Sequence, residues 1–267
     1  MMPVPSPAVP GLACPAIVAH RGASARFPEN TLLAFTEAIK AGADMVEIDV
    51  RLTADGVPVV LHDQDVSRTT GGSGLVNELT LAEVRELSAG RSQQRRLSVP
   101  TLRDALTLMR GQVAVQIDIK NDPHERGFDA TSQHLAEQTL QVLEELSFPS
   151  VIVSSENPRT VDWVRRRAPG LATGIEFEGR ADLREWLDYS ADRGHAFLLP
   201  NAEALLDAGR AFIDHAHALG VQIDAWTVDD PATMSQLLSW GVDTVETNDP
   251  ASMVPIRDQA RRDVARP

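Results

Sequence analysis

A TIM (β/α)8 barrel is the fold class that this 267-residue chain predicts, on three observations. Short apolar runs rich in β-branched residues alternate with longer stretches of helical period, the pattern of an α/β chain with parallel strands. Eight such units fit the roughly 250 residues typical of a barrel. No G-x-G-x-x-G turn follows the first run, as an open dinucleotide-binding sheet would require.

The eight runs are AIVAH (16–20), MVEIDV (45–50), VAVQIDIK (113–120), VIVSS (151–155), LATGI (171–175), AFLLP (196–200), VQIDAWTV (221–228) and DTVETN (243–248). Helices start between them at recognisable signals: Asn30 ahead of 31–40, Thr101 ahead of 102–109, and Pro231 in the first turn of a helix reaching Trp240. Gly42, Gly111, Gly220 and Gly241 each close a helix before a strand, where a left-handed cap is needed. One stretch breaks the alternation. From about 57 to 99 the chain carries a short strand VPVVLH, the turn cluster TTGGSG and an amphipathic LTLAEVREL, an excursion after the second strand on the rim where barrel insertions sit.

Residues 15–267 are expected to form this one domain, preceded by a flexible Pro-rich arm, 1–14. The opening MMPVPSPAVPGLACP has no basic segment and no unbroken apolar run, so no secretory leader is expected. Nor does any run of about eighteen apolar residues suggest stable membrane insertion. The single cysteine, Cys14, leaves no intramolecular disulfide to form, and a cytoplasmic location is expected. With 25 Lys and Arg against 38 Asp and Glu, the net charge of -13 repels nucleic acid and anionic membrane. An anionic small-molecule substrate therefore needs a local cationic site. The sequence sets no oligomeric state.

Strand alternation turns the runs into a site. In MVEIDVR, Glu47, Asp49 and Arg51 share the face opposite Ile48 and Val50; in QIDIK, Gln116, Asp118 and Lys120 oppose Ile117 and Ile119. Aliphatics then face the helices and acids face the barrel interior. Carboxylates of Glu47, Asp49 and Asp118 gathered in a confined space repel one another unless a cation compensates. Two readings stay open: a hard divalent cation, Mg2+ or Ca2+, which oxygen donors favour over zinc, or structural pairing with Arg21, Arg51 and Lys120.

His20 closes the first strand and His62 the short strand of the excursion, both at strand C-terminal ends, where barrel chemistry is done. Two groups titrating near neutrality suit phosphoryl transfer, which removes a proton from the nucleophile and delivers one to the leaving oxygen; each imidazole equally admits a structural hydrogen-bonding role. Arg21 suits bidentate phosphate binding, or neutralises Glu47. Lys120 serves the same anion, or pairs with Asp118. Trp226 is an apolar wall for a substrate alcohol or a core residue. His124, His134, His195, His215 and His217 receive no role, and Asp104 and Glu137 read as solvated helix acids.

With these residues assembled, the chain resembles the glycerophosphodiester phosphodiesterase family. The matching pieces are AHRGASARFPENTLLAF, MVEIDVRLTADGVPVVLHD, RTTGGSGLVNELTLAEVREL, VPTLRDAL, QIDIK, VIVSSENP, DAWTVDD and GVDTVETNDP, in order from about 16 to 252. The resemblance implies a TIM barrel with a small insertion after the second strand, His20 and His62 as a catalytic acid/base pair, Glu47, Asp49 and Asp118 as metal ligands, and Arg21 and Lys120 as phosphate contacts. The implied reaction is metal-dependent hydrolysis of a glycerophosphodiester to glycerol 3-phosphate and an alcohol. A lysophospholipase D-like or cyclic-phosphate-forming enzyme on the same barrel is the nearest alternative. A Schiff-base lyase using Lys120 is disfavoured by the carboxylates that hold this lysine protonated, and a binding protein without activity by the intact histidine pair. Two positions depart from the family pattern. The third acid is usually the glutamate of N-x-E-x-K, whereas this chain has Gln116, Asp118 and Lys120, a shorter ligand. Asn248 stands where aspartate is commoner, with Glu246 just before it on the inward face.

Overall fold

The protein is described by a computed structural model covering residues 9–90, 97–128, 131–177 and 183–264. Eight parallel strands close into a barrel. β1 (Ala16–Ala19) lies between β2 (Met45–Leu52) and β9 (Thr244–Thr247), and the ring continues from β2 through β4 (Ala114–Ile119), β5 (Val151–Ser155), β6 (Ala172–Phe177), β7 (Phe197–Pro200) and β8 (Gln222–Ala225) to β9. Each strand grows from one of the eight apolar runs. β3 (Pro58–Val60) pairs antiparallel with β2 outside the ring. Around the barrel stand α1 (Leu32–Ala41), α4 (Leu102–Met109), α5 (His134–Leu146), α6 (Pro158–Arg167), α7 (Leu183–Arg193), α8 (Ala202–Ala208), α9 (Arg210–Ala218), α10 (Pro231–Trp240) and α11 (Pro250–Val264).

Period-two alternation sorts the strand residues. Ala19, Val46, Ile48, Val50, Val115, Ile117 and Ile119 pack outward against α1, α4 and α5, and Ile17, Ile175, Leu198, Ile223 and Val245 against the helices of the other half. Val18, Met45, Ala114, Ile152, Phe197 and Leu199 form a separate apolar cluster in the interior. This apolar plug includes Val9 and Leu12, buried to 0% and 5% exposure. The far end of the expected 1–14 arm is therefore packed, because two apolar side chains between prolines close the barrel floor; residues 1–8 lie outside the described residues.

One local expectation is corrected. Thr31, not Asn30, caps α1: its backbone is extended and its hydroxyl accepts the Ala34 N–H at 3.2 Å, while Asn30 adopts a left-handed φ of 56°. Asp104 is exposed, as expected of a helix acid, and it also caps α4: its carboxylate accepts the Thr101 N–H at 3.1 Å in a capping box.

The segment 57–99 holds β3, α2 (Ser67–Thr70), a 3-10 turn (Val76–Glu78) and α3 (Leu81–Glu86). Val59, Leu61, Val66, Val76, Val84 and Val99 give it a small core of its own, and residues 91–96 lie outside the described residues. Among the described residues, no helix is long and apolar enough to cross a membrane.

Candidate active site

The polar ends of the strands meet at the C-terminal mouth of the barrel. β2 and β4 run in register, with Asp49 beside Asp118 and Glu47 beside Gln116. The same alternation turns Glu176 of β6, Asp224 of β8 and Glu246 of β9 inward. Glu47, Asp49, Asp118, Asp224 and Glu246 are each 3% exposed or less.

Two cations answer this acid. Arg21 Nε lies 3.3 Å from Asp49 Oδ2, and Lys120 Nζ lies 3.2 Å from Asp49 Oδ1 and also contacts Asp118. Asn30 Nδ2 donates to Asp49 Oδ2 at 2.6 Å. Burial opposes ionisation of Asp49, yet Lys120 and Arg21 hold its carboxyl below the usual range. Lys120 is itself buried, and Asp118 and Asp49 outweigh that burial and keep it charged. In Glu47, Glu176 and Glu246 burial and neighbouring carboxylates outweigh the favourable partners. Burial first, and then Asp49, pushes Glu47 well above the ordinary carboxylate value; burial and Asp118 do the same to Glu176, and burial with Asp224 and Glu47 to Glu246. Burial lifts Asp224 to about 7.

The turn after β1 is shaped by backbone geometry. Arg21 and Gly22 both have positive φ, 57° and 81°, which directs the Arg21 N–H to Glu47 Oε2 at 2.8 Å. A β-carbon on Gly22 would stand 2.7–2.9 Å from Ala34 backbone and side-chain atoms of α1, so only glycine permits the close approach. His20 Nδ1 lies 2.8 Å from Asn248 Oδ1. Because Asn248 Nδ2 donates to Asp229 Oδ2 at 2.6 Å, its amide oxygen faces the imidazole. Nδ1 of His20 then carries the ring proton and Nε2 the lone pair. Burial, and then Arg21, lower the His20 pKa to about 4.

His62 enters from the residue pair after β3. Its Nδ1 lies 2.7 Å from Asp63 Oδ1, and its carbonyl accepts Arg51 Nε at 2.6 Å. Arg51 itself is paired with Glu125 through two hydrogen bonds of 2.6 and 2.7 Å. It therefore serves none of Glu47, Asp49 and Asp118, because β2 runs past the barrel rim into its pairing with β3. Arg68 of α2 clamps Asp63 and also grips Glu29 with two bonds of 2.7 Å; Glu29 accepts Arg21 Nη1 at 3.1 Å. A continuous chain of hydrogen bonds thus joins His62 to Arg21 through the insertion.

Trp226, at the end of β8, packs on the interior plug and spends its N–H on the Leu199 carbonyl at 2.8 Å. The structure thus gathers His20, Arg21, Glu47, Asp49, Asp118 and Lys120 and sets His62 at their edge. Sequence reasoning missed Asn30, the chain from Asp63 through Arg68 to Glu29, and Glu176. It placed Glu246 inward but gave it no partner; Gln116 Nε2 donates to Glu246 Oε1 at 2.6 Å. A nitrogen and two carboxylates, from His20, Glu47 and Glu246, offer donor atoms within 4.8 Å of one another.

Comparison with known proteins agrees with this architecture. Residues 20–252 match the model of the glycerophosphoryl diester phosphodiesterase family. A glycerophosphodiester phosphodiesterase of Caldanaerobacter subterraneus subsp. tengcongensis is 32% identical over 246 residues, covering 89% of this chain and 96% of its own. One of Bacillus subtilis is 32% identical over 253 residues, covering 87% and 83%. Among solved structures, a phosphodiesterase of Oleispira antarctica in complex with the product sn-glycerol-3-phosphate superposes with a TM-score of 0.82 at 27% identity, covering 91% of this chain and 97% of its own. The chain belongs to the glycerophosphoryl diester phosphodiesterase family.

Proposed function

We propose that the chain hydrolyses glycerophosphodiesters to glycerol 3-phosphate and an alcohol, with His20 and His62 as its proton-transfer pair. The observation that carries this reading is that two imidazoles border the buried acids, His20 at the end of β1 within 4.8 Å of Glu47 and Glu246, and His62 after β3 joined through Asp63, Arg68 and Glu29 to Arg21. The O. antarctica relative, with its bound product, supports a glycerol phosphate as the group held at this mouth.

Glu47, Asp49 and Asp118 are the residues assigned to a divalent cation, Mg2+ or Ca2+. The fit rests on donor chemistry. The inward carboxylates outnumber Arg21 and Lys120, and Gln116 Oε1 lies buried with no hydrogen-bond donor, a donor set made of oxygens that suits a hard ion. When bound, the cation supplies electrophilic stabilisation of charge on the phosphoryl oxygens.

The protein's own groups do the rest. Arg21 and Lys120 are already oriented by Asp49, so their positive charge is fixed before substrate arrives. His20, neutral through burial and with its Nδ1 proton given to Asn248, presents Nε2 as the base. His62, backed by the Asp63 carboxylate, is suited to hold and deliver the proton to the leaving alkoxide. Trp226 offers an apolar wall to the alcohol.

Release of glycerol 3-phosphate from a panel of glycerophosphodiesters tests the reading. His20→Ala and His62→Ala each lose most turnover in folded protein, and exhaustive chelation abolishes hydrolysis until Mg2+ or Ca2+ is restored. Full activity in either variant, or indifference to chelation, contradicts it. A cyclic phosphodiester as the end product by 31P NMR contradicts simple hydrolysis.

A further inference from the structure

Glu246 has no part in the scheme above, yet it is almost fully buried beside two of its members. Its neighbours are arranged around it. Gln116 Nε2 fixes one of its oxygens at 2.6 Å, and the strand register sets Gln116 directly beside Glu47, with Gln116 Oε1 left buried and without a donor. Across the gap stands His20.

We propose that His20, Glu47 and Glu246 form a second cation site, selective for a divalent transition metal that accepts nitrogen, such as Zn2+ or Co2+, and that filling it stops turnover by taking the lone pair of His20. The inhibitory half rests on the role of His20 proposed above; the site itself does not.

Four features argue for it. The three donor atoms lie within 4.8 Å of one another, and bonds of about 2.0–2.2 Å in a tetrahedral site need them roughly 3.5 Å apart, which asks for side-chain movements of about an ångström. The donor set is mixed: imidazole nitrogen with carboxylates suits Zn2+ and Co2+, whereas the all-oxygen set of Glu47, Asp49 and Asp118 suits Mg2+ or Ca2+. His20 is prepared as a ligand, since its Nδ1 proton goes to the Asn248 side-chain carbonyl oxygen, the outer partner that metal-bound histidines usually have. Finally, Glu47 gives only Oε2 to the Arg21 N–H, and Gln116 Oε1 is a further oxygen at the same level of the barrel. Glu47 is shared by the two sites, so a soft metal in the second sits against the hard ion in the first.

The test uses the whole chain stripped of metal with chelator and titrated with Co2+ in the presence of saturating Mg2+. Wild type is expected to develop the visible absorption of Co2+ bound through imidazole. His20→Gln and Glu246→Gln are expected to lose that absorption or weaken Co2+ binding at least tenfold. The glutamine at 246 keeps an oxygen for Gln116, so the fold is retained, and Glu246→Asp provides a second variant with the charge kept and the reach shortened. Zn2+ is expected to displace Co2+ and to abolish Mg2+-supported hydrolysis, with Glu246→Gln raising the half-inhibitory Zn2+ concentration at least tenfold. Co2+ absorption and affinity unchanged in Glu246→Gln overturn the site, even where His20→Ala is inactive. Zn2+ that fills a Glu246-dependent site without slowing turnover overturns the inhibition, and with it the proton-transfer role of His20.

Discussion

Arg68 touches no part of the barrel mouth, yet it ties together both limbs of the proposed chemistry, and Arg68→Ala separates positioning from stability. Its side chain is 48% exposed, so each of its pairs, with Asp63 and with Glu29, contributes only about 0.2–1 kcal/mol after solvent screening. The summed loss near 1 kcal/mol lowers Tm by roughly 2–4 °C for a chain of this size. The catalytic effect is larger, because Asp63, released by Arg68, no longer fixes the His62 ring that it meets at 2.7 Å. Misplacement of a proton donor by about an ångström costs on the order of 100-fold, so kcat falls about 10- to 100-fold, or roughly 1.4–2.8 kcal/mol of barrier. Steady-state release of glycerol 3-phosphate reads this out. Asp63→Asn, which breaks the His62 limb alone, shows the kcat loss with little change in KM, whereas Glu29→Gln, which loosens Arg21, raises KM. A folded Arg68→Ala enzyme with kcat within twofold of wild type refutes the positioning argument.

Other outcomes follow from the electrostatics of the mouth. Glu47 and Glu246 hold their protons well above the ordinary carboxylate value, so the metal-free native state keeps protons that the unfolded chain has released, and its stability falls as pH rises above about 4.5. Mg2+ held by Glu47 replaces the proton of that carboxyl, and excess Mg2+ therefore raises Tm more at about pH 8 than at about pH 5.5 in thermal melts; equal increments contradict the raised Glu47 value. Asn248→Asp puts a carboxylate against the His20 Nδ1 proton, favours the imidazolium, and moves the acid limb of the kcat/KM profile to higher pH; an unmoved limb separates Asn248 from the base. Lys120→Met leaves Asp49 and Asp118 buried with one cation fewer and destabilises the metal-free protein by about 3–5 kcal/mol in urea unfolding, with Mg2+ recovering part of the loss; an unchanged midpoint argues against the buried pairing.

Much of this was legible in the sequence because barrel strands obey a period of two. Alternation in MVEIDVR and QIDIK is enough to aim Glu47, Asp49, Asp118 and Lys120 inward, and the strand ends locate His20 and His62. Local rules fail where they meet a tertiary competitor. Asn30 and Thr31 are both good caps, and nothing local says that Asn30 turns left-handed to hold Asp49. Glu176 is not legible because LATGI ends the apolar run at Ile175, whereas pairing with β7 carries β6 on to Phe177. Arg51 alternates correctly, but the strand has by then left the ring, so the guanidinium finds Glu125 instead of the acids. The link from His62 to Arg21 spans Glu29, Asp63 and Arg68, residues that only the folded insertion brings together.

The central claim is spatial, and crystals grown with Mn2+ and glycerol 3-phosphate test it most directly. Anomalous scattering is expected to place a metal peak on the carboxylates of Glu47, Asp49 and Asp118, with the phosphate beside Arg21 and Lys120 and an imidazole on each side of it, His20 on one and His62 on the other. A metal away from those carboxylates, or a phosphate within reach of only one of the two histidines, contradicts the account.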